Sequence, residues 1–191
     1  MDDRADETQL WERARRDDGA AFAALFELHH GRVYRRALGL LSAVHDAEDV
    51  AAAAFFELWR KRRAVPLVSG SVLPWLLVTT VNLARNANRS TVRYRRLLRD
   101  LPHAEPAPGP VLDDSETRER LGAALRRLAP VDSALFALTA LEGFPIVDAA
   151  TAVGLSAATA RVRLHRARAR LRDELQDLAP SATAAFERSE R

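Results

Sequence analysis

The sequence predicts an all-α protein: two small helical domains joined by a flexible proline-rich linker, the C-terminal one containing a helix-turn-helix. Three observations predict it. Apolar residues recur at steps of three and four through most of the chain, and neither half shows the alternation or turn pairs of strands and hairpins. Residues 102–116, PHAEPAPGPVLDDSE, combine prolines that extend the chain with acids that keep it solvated, and so divide it in two. Near the C-terminus, a short apolar segment, a glycine and a serine-led basic segment follow one another across 146–172.

The elements follow in chain order. Residues 1–18 read as an acidic N-terminal tail with a possible helical turn around Leu10 and Trp11. From about 20 to 41 the pattern is helical, with Phe22, Leu25, Phe26, His29, Val33, Ala37 and Leu40 on one broad face. His29 and His30 are neighbours, so on a helix they point apart. No further ligand is spaced to join them, and no metal site is expected. A second helix spans about 46–63. Asp46, Glu48 and Asp49 sit in its first turn, and Arg60, Lys61, Arg62 and Arg63 close it, the polarity that the helix dipole favours. Val50, Ala54, Phe55 and Leu58 supply its buried side, joined by Trp59. The segment AVPLVSG at 64–70 is a loop by its proline and glycine.

Ser71 is a suitable N-cap for a third helix running to about 98, with Pro74 tolerated in its first turn. Trp75, Leu76, Val78, Thr79, Asn82 and Leu83 mark the inner part of that helix. Beyond Arg85 it turns basic, with Asn86, Asn88, Arg89, Arg93 and Tyr94, which suits phosphate contacts combined with base-edge bonds or stacking.

After the linker, a helix at about 119–128 turns Leu121, Leu125 and Leu128 inward. Pro130 opens another, which holds Leu135, Leu138 and Leu141 inside and ends at Gly143. Residues 146–152 form a short helix, and Gly154 supplies the positive φ of the tight turn after it. The helix opening at Ser156 buries the stripe Ala160, Leu164, Ala167 and Leu171. Arg161, His165, Arg168 and Arg172 make one row outside that stripe, and Arg163, Arg166 and Arg170 a second. Helix, glycine turn and capped basic helix are the order of a helix-turn-helix. Its second helix enters the major groove with early residues at base edges and later arginines on phosphate. Residues 179–191 read as a loose tail.

Composition narrows the function classes. The net charge is only +3, yet the bases gather at 85–99 and 161–172 while acids gather at the N-terminus and 113–119. That asymmetry points to a polyanion with two contact surfaces. Forty-eight per cent hydrophobic residues suffice for packed cores. With no cysteine, disulfides, thiolate zinc sites and cysteine nucleophiles are excluded, which fits a reducing cytoplasm. The start of the chain is acidic, unlike a signal peptide, and no stretch approaches the length of a membrane span, so membrane insertion is not expected. No phosphate-cradling glycine loop, metal cluster or nucleophile with a base is present, so neither enzymatic activity nor a cofactor is expected.

Nearly the whole chain resembles the bacterial RNA polymerase sigma factors of the extracytoplasmic-function group. The resemblance is carried by FAALFELHHGRVYRRALGLL, DAEDVAAAAFFELWRKR and VLPWLLVTTVNLARNANRS, in that order. LRRLAP and ALTALEGFPIVDAATAVGLSAATARVRLHRARARLR carry it in the second half. It implies a core-binding and −10-recognition domain at 19–99, a linker at 100–118 and a −35-recognition domain at 119–178. Asp46, Glu48, Asp49, Val50 and Phe55 would bind core polymerase, whose β′ clamp helices and β flap are the surfaces implied, the clamp helices meeting the helix from Asp46. Ser69, Ser71, Asn82, Asn86, Arg89 and Arg93 would read the melted −10 strand. Ser156, Ala157, Thr159, Arg161, Arg163, Arg166 and Arg170 would read the −35 duplex. Promoter DNA and an anti-sigma factor are the further partners implied. Two other readings fit parts of the sequence. A stand-alone helix-turn-helix regulator accounts for the second half alone. A sigma-like protein with weakened core binding is suggested by Ala52 and Ala53, which stand where the family commonly carries Gln-Glu.

Overall fold

The computed structural model describes residues 3–41, 43–98 and 115–175, and their side chains except at 3–5, 91–98 and 115–119. Among the described residues there are eight α-helices and one π-helical turn, with a single backbone bridge between Val68 and Ser71 in place of any strand.

The stretch expected as an acidic tail is instead helix α1, Asp3–Ala14. Trp11 is 1% exposed and Ala14 is fully buried, so α1 docks on the rest of the molecule. Its apolar stripe is too thin to announce a helix, and packing rather than intrinsic pattern stabilises it. Helix α2, Gly19–Leu38, starts under Asp18, whose Oδ1 accepts from the amides of Ala20 and Ala21 at 3.0 Å each. Leu25, His29, Val33 and Ala37 face inward as the spacing predicts. Leu40 is buried too, but beyond the helix end.

Helix α3, Val44–Lys61, begins two residues before the expected start, so only Asp46 lies in its first turn and Glu48 and Asp49 fall in the second. Aromatic rings bind it to α2: Phe26 and Phe55 lie 4.7 Å apart, and Phe22 and Trp59 4.9 Å. The loop after it leads into α4, Leu73–Leu98, whose first amide bonds the Ser71 hydroxyl at 3.1 Å. Leu73, Leu76, Leu77, Thr80, Val81 and Ala84 form its buried face. Asn82, expected on the inner part, points outward instead.

In the second half α5 spans Ser115–Arg127, so it starts inside the stretch expected as linker. Helix α6, Pro130–Phe136, runs into a π-helical turn at Ala137–Leu141 where one continuous helix was expected. The wide turn inserts an extra residue and shifts the register of the residues beyond it. Helix α7, Ile146–Ala152, and α8, Ala157–Glu174, make the helix-turn-helix, with Gly154 at φ +73° between them. The predicted stripe of Ala160, Leu164, Ala167 and Leu171 is buried.

The two helical units are packed against each other, which the linker had left open. One apolar core runs through both, with α4 between α2 and α3 on one side and α6 and α7 on the other. Gly122 of α5 meets Gly39 so closely that a Cβ there would lie 2.4 Å from the Gly39 carbonyl oxygen. Arg126 donates to the Leu40 carbonyl at 3.0 Å, and Arg85 to the Leu128 carbonyl at 2.5 Å. Glu142, just past the π turn, is held by Arg32 at 3.0 Å and Arg36 at 2.7 Å.

Candidate nucleic-acid and polymerase surfaces

The loop at 64–71 is shaped by its backbone. Val68 and Ser71 exchange two backbone hydrogen bonds of 3.0 and 3.1 Å around Ser69 and Gly70, both at positive φ. Ser69 stands exposed at the tip, and its hydroxyl donates to Asp148 of α7 at 2.6 Å. Ser71 is half-buried and turned inward. Its hydroxyl donates to Glu7 Oε1 at 2.9 Å. Of the two loop serines, only Ser69 faces outward. Beside the loop lies a cavity of about 240 Å³ walled by Glu7, His29, Arg32, Ser69 and Phe144 among others.

Helix α4 brings Asn82, Asn86 and Arg89 onto one exposed strip, at helical steps of four and three. Arg89 donates to Asn86 Oδ1 at 2.6 Å, which aligns the two side chains along the strip. Arg93 continues the same spacing, but its side chain lies outside the described residues.

Helix α8 opens with Ser156, whose hydroxyl accepts from the Thr159 amide at 3.2 Å and lies 2.9 Å from the Thr159 hydroxyl. Ser156 and Thr159 are exposed and Ala157 half-buried at this entering end. Arg161, Arg166 and Arg170 project into solvent. Arg163 differs: its Nε donates to Asp132 at 2.7 Å, which ties α8 to the start of α6. A guanidinium already paired within the fold contributes less to an outside anion, so Arg163 is a structural contact in this arrangement.

Helix α3 corrects one expectation. Val50 and Phe55 are 6% and 3% exposed, inside the core, and so are not available to a partner. Phe56, one residue on and so about a third of a turn round the helix, is 65% exposed. It shares the outward side with Ala52, Glu48 and Asp49, while Asp46 is half-buried. The sequence held this signal, because the buried positions define an inner face that Phe56 lies off. His29, set aside as a ligand, meets Glu7 at 2.9 Å, and His30 sits among the rings of Phe26, Tyr34 and Phe55. Glu7, Glu142 and Asp132 were not singled out by sequence reasoning, because each acts through a residue far away in the chain.

Fold and surfaces together define a two-unit helical protein with a helix-turn-helix and two exposed basic strips. Family models match on both units: Sigma-70 region 2 at residues 25–94, and Sigma-70, region 4 at residues 118–171. The chain belongs to the sigma-70 family of RNA polymerase sigma factors, in its extracytoplasmic-function group. It is 33% identical over 166 residues to the sigma factor SigE of Mycolicibacterium smegmatis, covering 83% of this chain and 64% of that protein. It is 32% identical over 165 residues to the sigma factor CarQ of Myxococcus xanthus, covering 84% of this chain and 94% of that one. The chain thus spans less than two thirds of SigE and nearly all of CarQ. The sigma factor RpoE in its co-crystal structure with the anti-sigma factor NepR, from Bartonella quintana, matches at 25% identity and a TM-score of 0.52, over 82% of this chain and 98% of that one. No helix among the described residues is long and apolar enough to cross a membrane.

Proposed function

We propose that this chain binds core RNA polymerase and directs it to specific promoters, reading the −10 element with the first unit and the −35 element with the second. The observation that carries this reading is the pairing, in one chain, of a region 2 match and a region 4 match, each bearing an exposed polar and basic strip. Asn82, Asn86, Arg89 and Arg93, with Ser69 at the loop tip, hold the unstacked −10 strand. Ser71 shapes that loop from within. Ser156, Ala157 and Thr159 approach base edges of the −35 duplex, Arg161 reaches bases or phosphate, and Arg166 and Arg170 grip phosphate. Core polymerase is met by the outward side of α3, where Asp46, Glu48 and Asp49 face basic groups of the β′ clamp helices and Phe56 replaces Val50 and Phe55 as the apolar contact. The second unit takes the β flap. An anti-sigma factor is a further partner, in keeping with the company RpoE keeps in its crystal structure. The chain acts in the cytoplasm as a binding subunit, without bond chemistry of its own. A stand-alone helix-turn-helix regulator leaves the first unit without a role.

Reconstituted transcription tests this reading. Full-length chain and core polymerase are incubated with genomic fragments and the start sites mapped. The expected result is a set of starts sharing two boxes at fixed spacing, with a steep salt dependence, each neutralised phosphate adding about −0.9 to the log–log slope. A chain that never joins core polymerase yet holds duplex DNA alone overturns the proposal.

A further inference from the structure

Helix α1 lies outside both family matches, yet it carries the buried carboxylate that fastens the loop at 64–71. Glu7 is 5% exposed. One of its oxygens, Oε1, accepts from the Ser71 hydroxyl at 2.9 Å and the Val72 amide at 2.8 Å, and lies 2.9 Å from His29 Nε2. The same Ser71 hydroxyl accepts from Leu73, the first residue of α4, so the node joins the end of the loop to the start of the helix. One residue on from Glu7, the Thr8 hydroxyl donates to the Gly70 carbonyl at 3.4 Å. Three consecutive residues, Gly70, Ser71 and Val72, are therefore held from α1. Ser71 and Val72 form the closing side of the turn, and Gly70 stands beside Ser69 at its tip, where Asp148 of α7 also holds the Ser69 hydroxyl. Trp11 and Ala14, both buried, anchor α1 so that Glu7 is a fixed point rather than a swinging side chain.

We propose that Glu7 is the positioning residue of the 64–71 loop: its oxygen sets how the turn presents Ser69 and the adjoining cavity to the −10 strand, and with that how sharply one base is told from another. This rests on the reading of the loop as the −10 reader. Glu7 itself touches no DNA; it acts through the turn. A carboxylate suits the task because three donors converge on it, and charge-assisted bonds are shorter and stiffer than neutral ones. Without it, the Ser71 hydroxyl, the Val72 amide and the His29 ring lose their shared acceptor, and the turn relaxes into several arrangements. Bases are then bound less selectively.

The test uses holoenzyme assembled from core polymerase and the full-length chain. Its probes are fork-junction DNAs carrying a mapped −10 sequence, either matched or with one non-template base replaced, together with a −35 duplex. Glu7→Ala is expected to lower the matched-to-mismatched binding ratio about tenfold, the factor that losing one charge-assisted hydrogen bond corresponds to. Binding to the −35 duplex is expected to stay within about twofold of wild type. Glu7→Gln, which keeps the shape and one acceptor, is expected to recover part of the ratio. Leu25→Ala, a core change in the same half, lowers the amount of active protein but leaves the ratio alone, because a merely structural lesion scales both probes together. Should Glu7→Ala not fold, Glu7→Gln carries the comparison with a fall of about threefold. A wild-type ratio in the Glu7 variants overturns the proposal. So does a loss that Leu25→Ala reproduces in the ratio itself. A wild-type holoenzyme that does not distinguish the two fork junctions overturns the loop's assignment to −10 reading, and the Glu7 proposal with it.

Discussion

Helices α4 and α8 each carry an outward polar and basic strip, and the two strips are supported in opposite ways. The first part of α4 is wrapped by both halves, with Leu73, Leu76, Leu77, Thr80, Val81 and Ala84 all buried, and its strip begins only where that packing thins. Helix α8 rests on one narrow stripe of two alanines and two leucines. Its placement depends on the Ser156 cap and on two ion pairs, Arg163 with Asp132 at 2.7 Å and Glu174 with Arg127 at 3.1 Å. A strip on α4 therefore inherits its geometry from the whole core, whereas a strip on α8 is as firm as its stripe, its cap and its ion pairs to α5 and α6. The contrast accords with the tasks proposed: a melted strand has to be moulded to a rigid cradle, while duplex DNA brings its own rigid shape to a projecting helix.

The comparison breaks most visibly at the centre of α4. Leu76→Ala removes a fully buried side chain and is expected to cost about 3 kcal/mol. Because both halves lean on α4, urea should then dissolve them in one step. Tryptophan fluorescence, which reports only the first half through Trp11, Trp59 and Trp75, should coincide with helical circular dichroism. Two separated transitions would show that the halves stand independently.

Next in size is the seam itself. Gly122→Ala sets a methyl group 2.4 Å from the Gly39 carbonyl oxygen, so one backbone must retreat, at a cost of about 2 kcal/mol. Gly19→Ala, where a Cβ meets nothing within 4 Å, is the matched control and should leave the melting temperature near that of wild type. Equal behaviour of the two variants in a thermal melt would show that the seam does not bind the halves together.

Acid sharpens the comparison from the other side. Burial raises the Glu7 pKa, but the bonds from His29, Val72 and Ser71 outweigh that and hold it below the ordinary 4.5. A carboxyl whose pKa is lower when folded adds stability above its unfolded value, and loses it as pH falls through the folded one. The advantage in urea midpoint of wild type over Glu7→Gln should therefore be full at neutral pH and shrink below 4.5. An advantage that grows in acid would reverse the sign and refute the assignment. The smallest effect belongs to α8. Ser156→Ala is expected to cost about 1 kcal/mol, felt as faster hydrogen exchange in the first turn of α8 and not in α4.

Much of this was legible before folding. The 146–152 helix, the Gly154 turn, the Ser156 cap and the stripe from Ala160 to Leu171 all appear where their spacing places them, because each is a local rule acting over four residues or fewer. The strip of Asn82, Asn86 and Arg89 follows from helical spacing, and the structure differs from it only in turning Asn82 outward rather than to the inner part of the helix. Val50 and Phe55, expected as contacts, lie in the core for the opposite reason. The periodicity that identified them as apolar also marked them as interior, and Phe56 was the residue left over.

Local periodicity and capping chemistry by themselves determined the helical class and the helix-turn-helix, since those depend on neighbours within a turn or two; the family came from the resemblance of whole sequence blocks in order. Only the tertiary structure decided that α1 is a docked helix, that Glu7 fastens a loop more than sixty residues away, that Glu142 is clamped by Arg32 and Arg36, and that Arg163 is tied to Asp132. Each of those contacts joins positions distant along the chain, and a polar residue gives no sign of a partner until packing brings the two together.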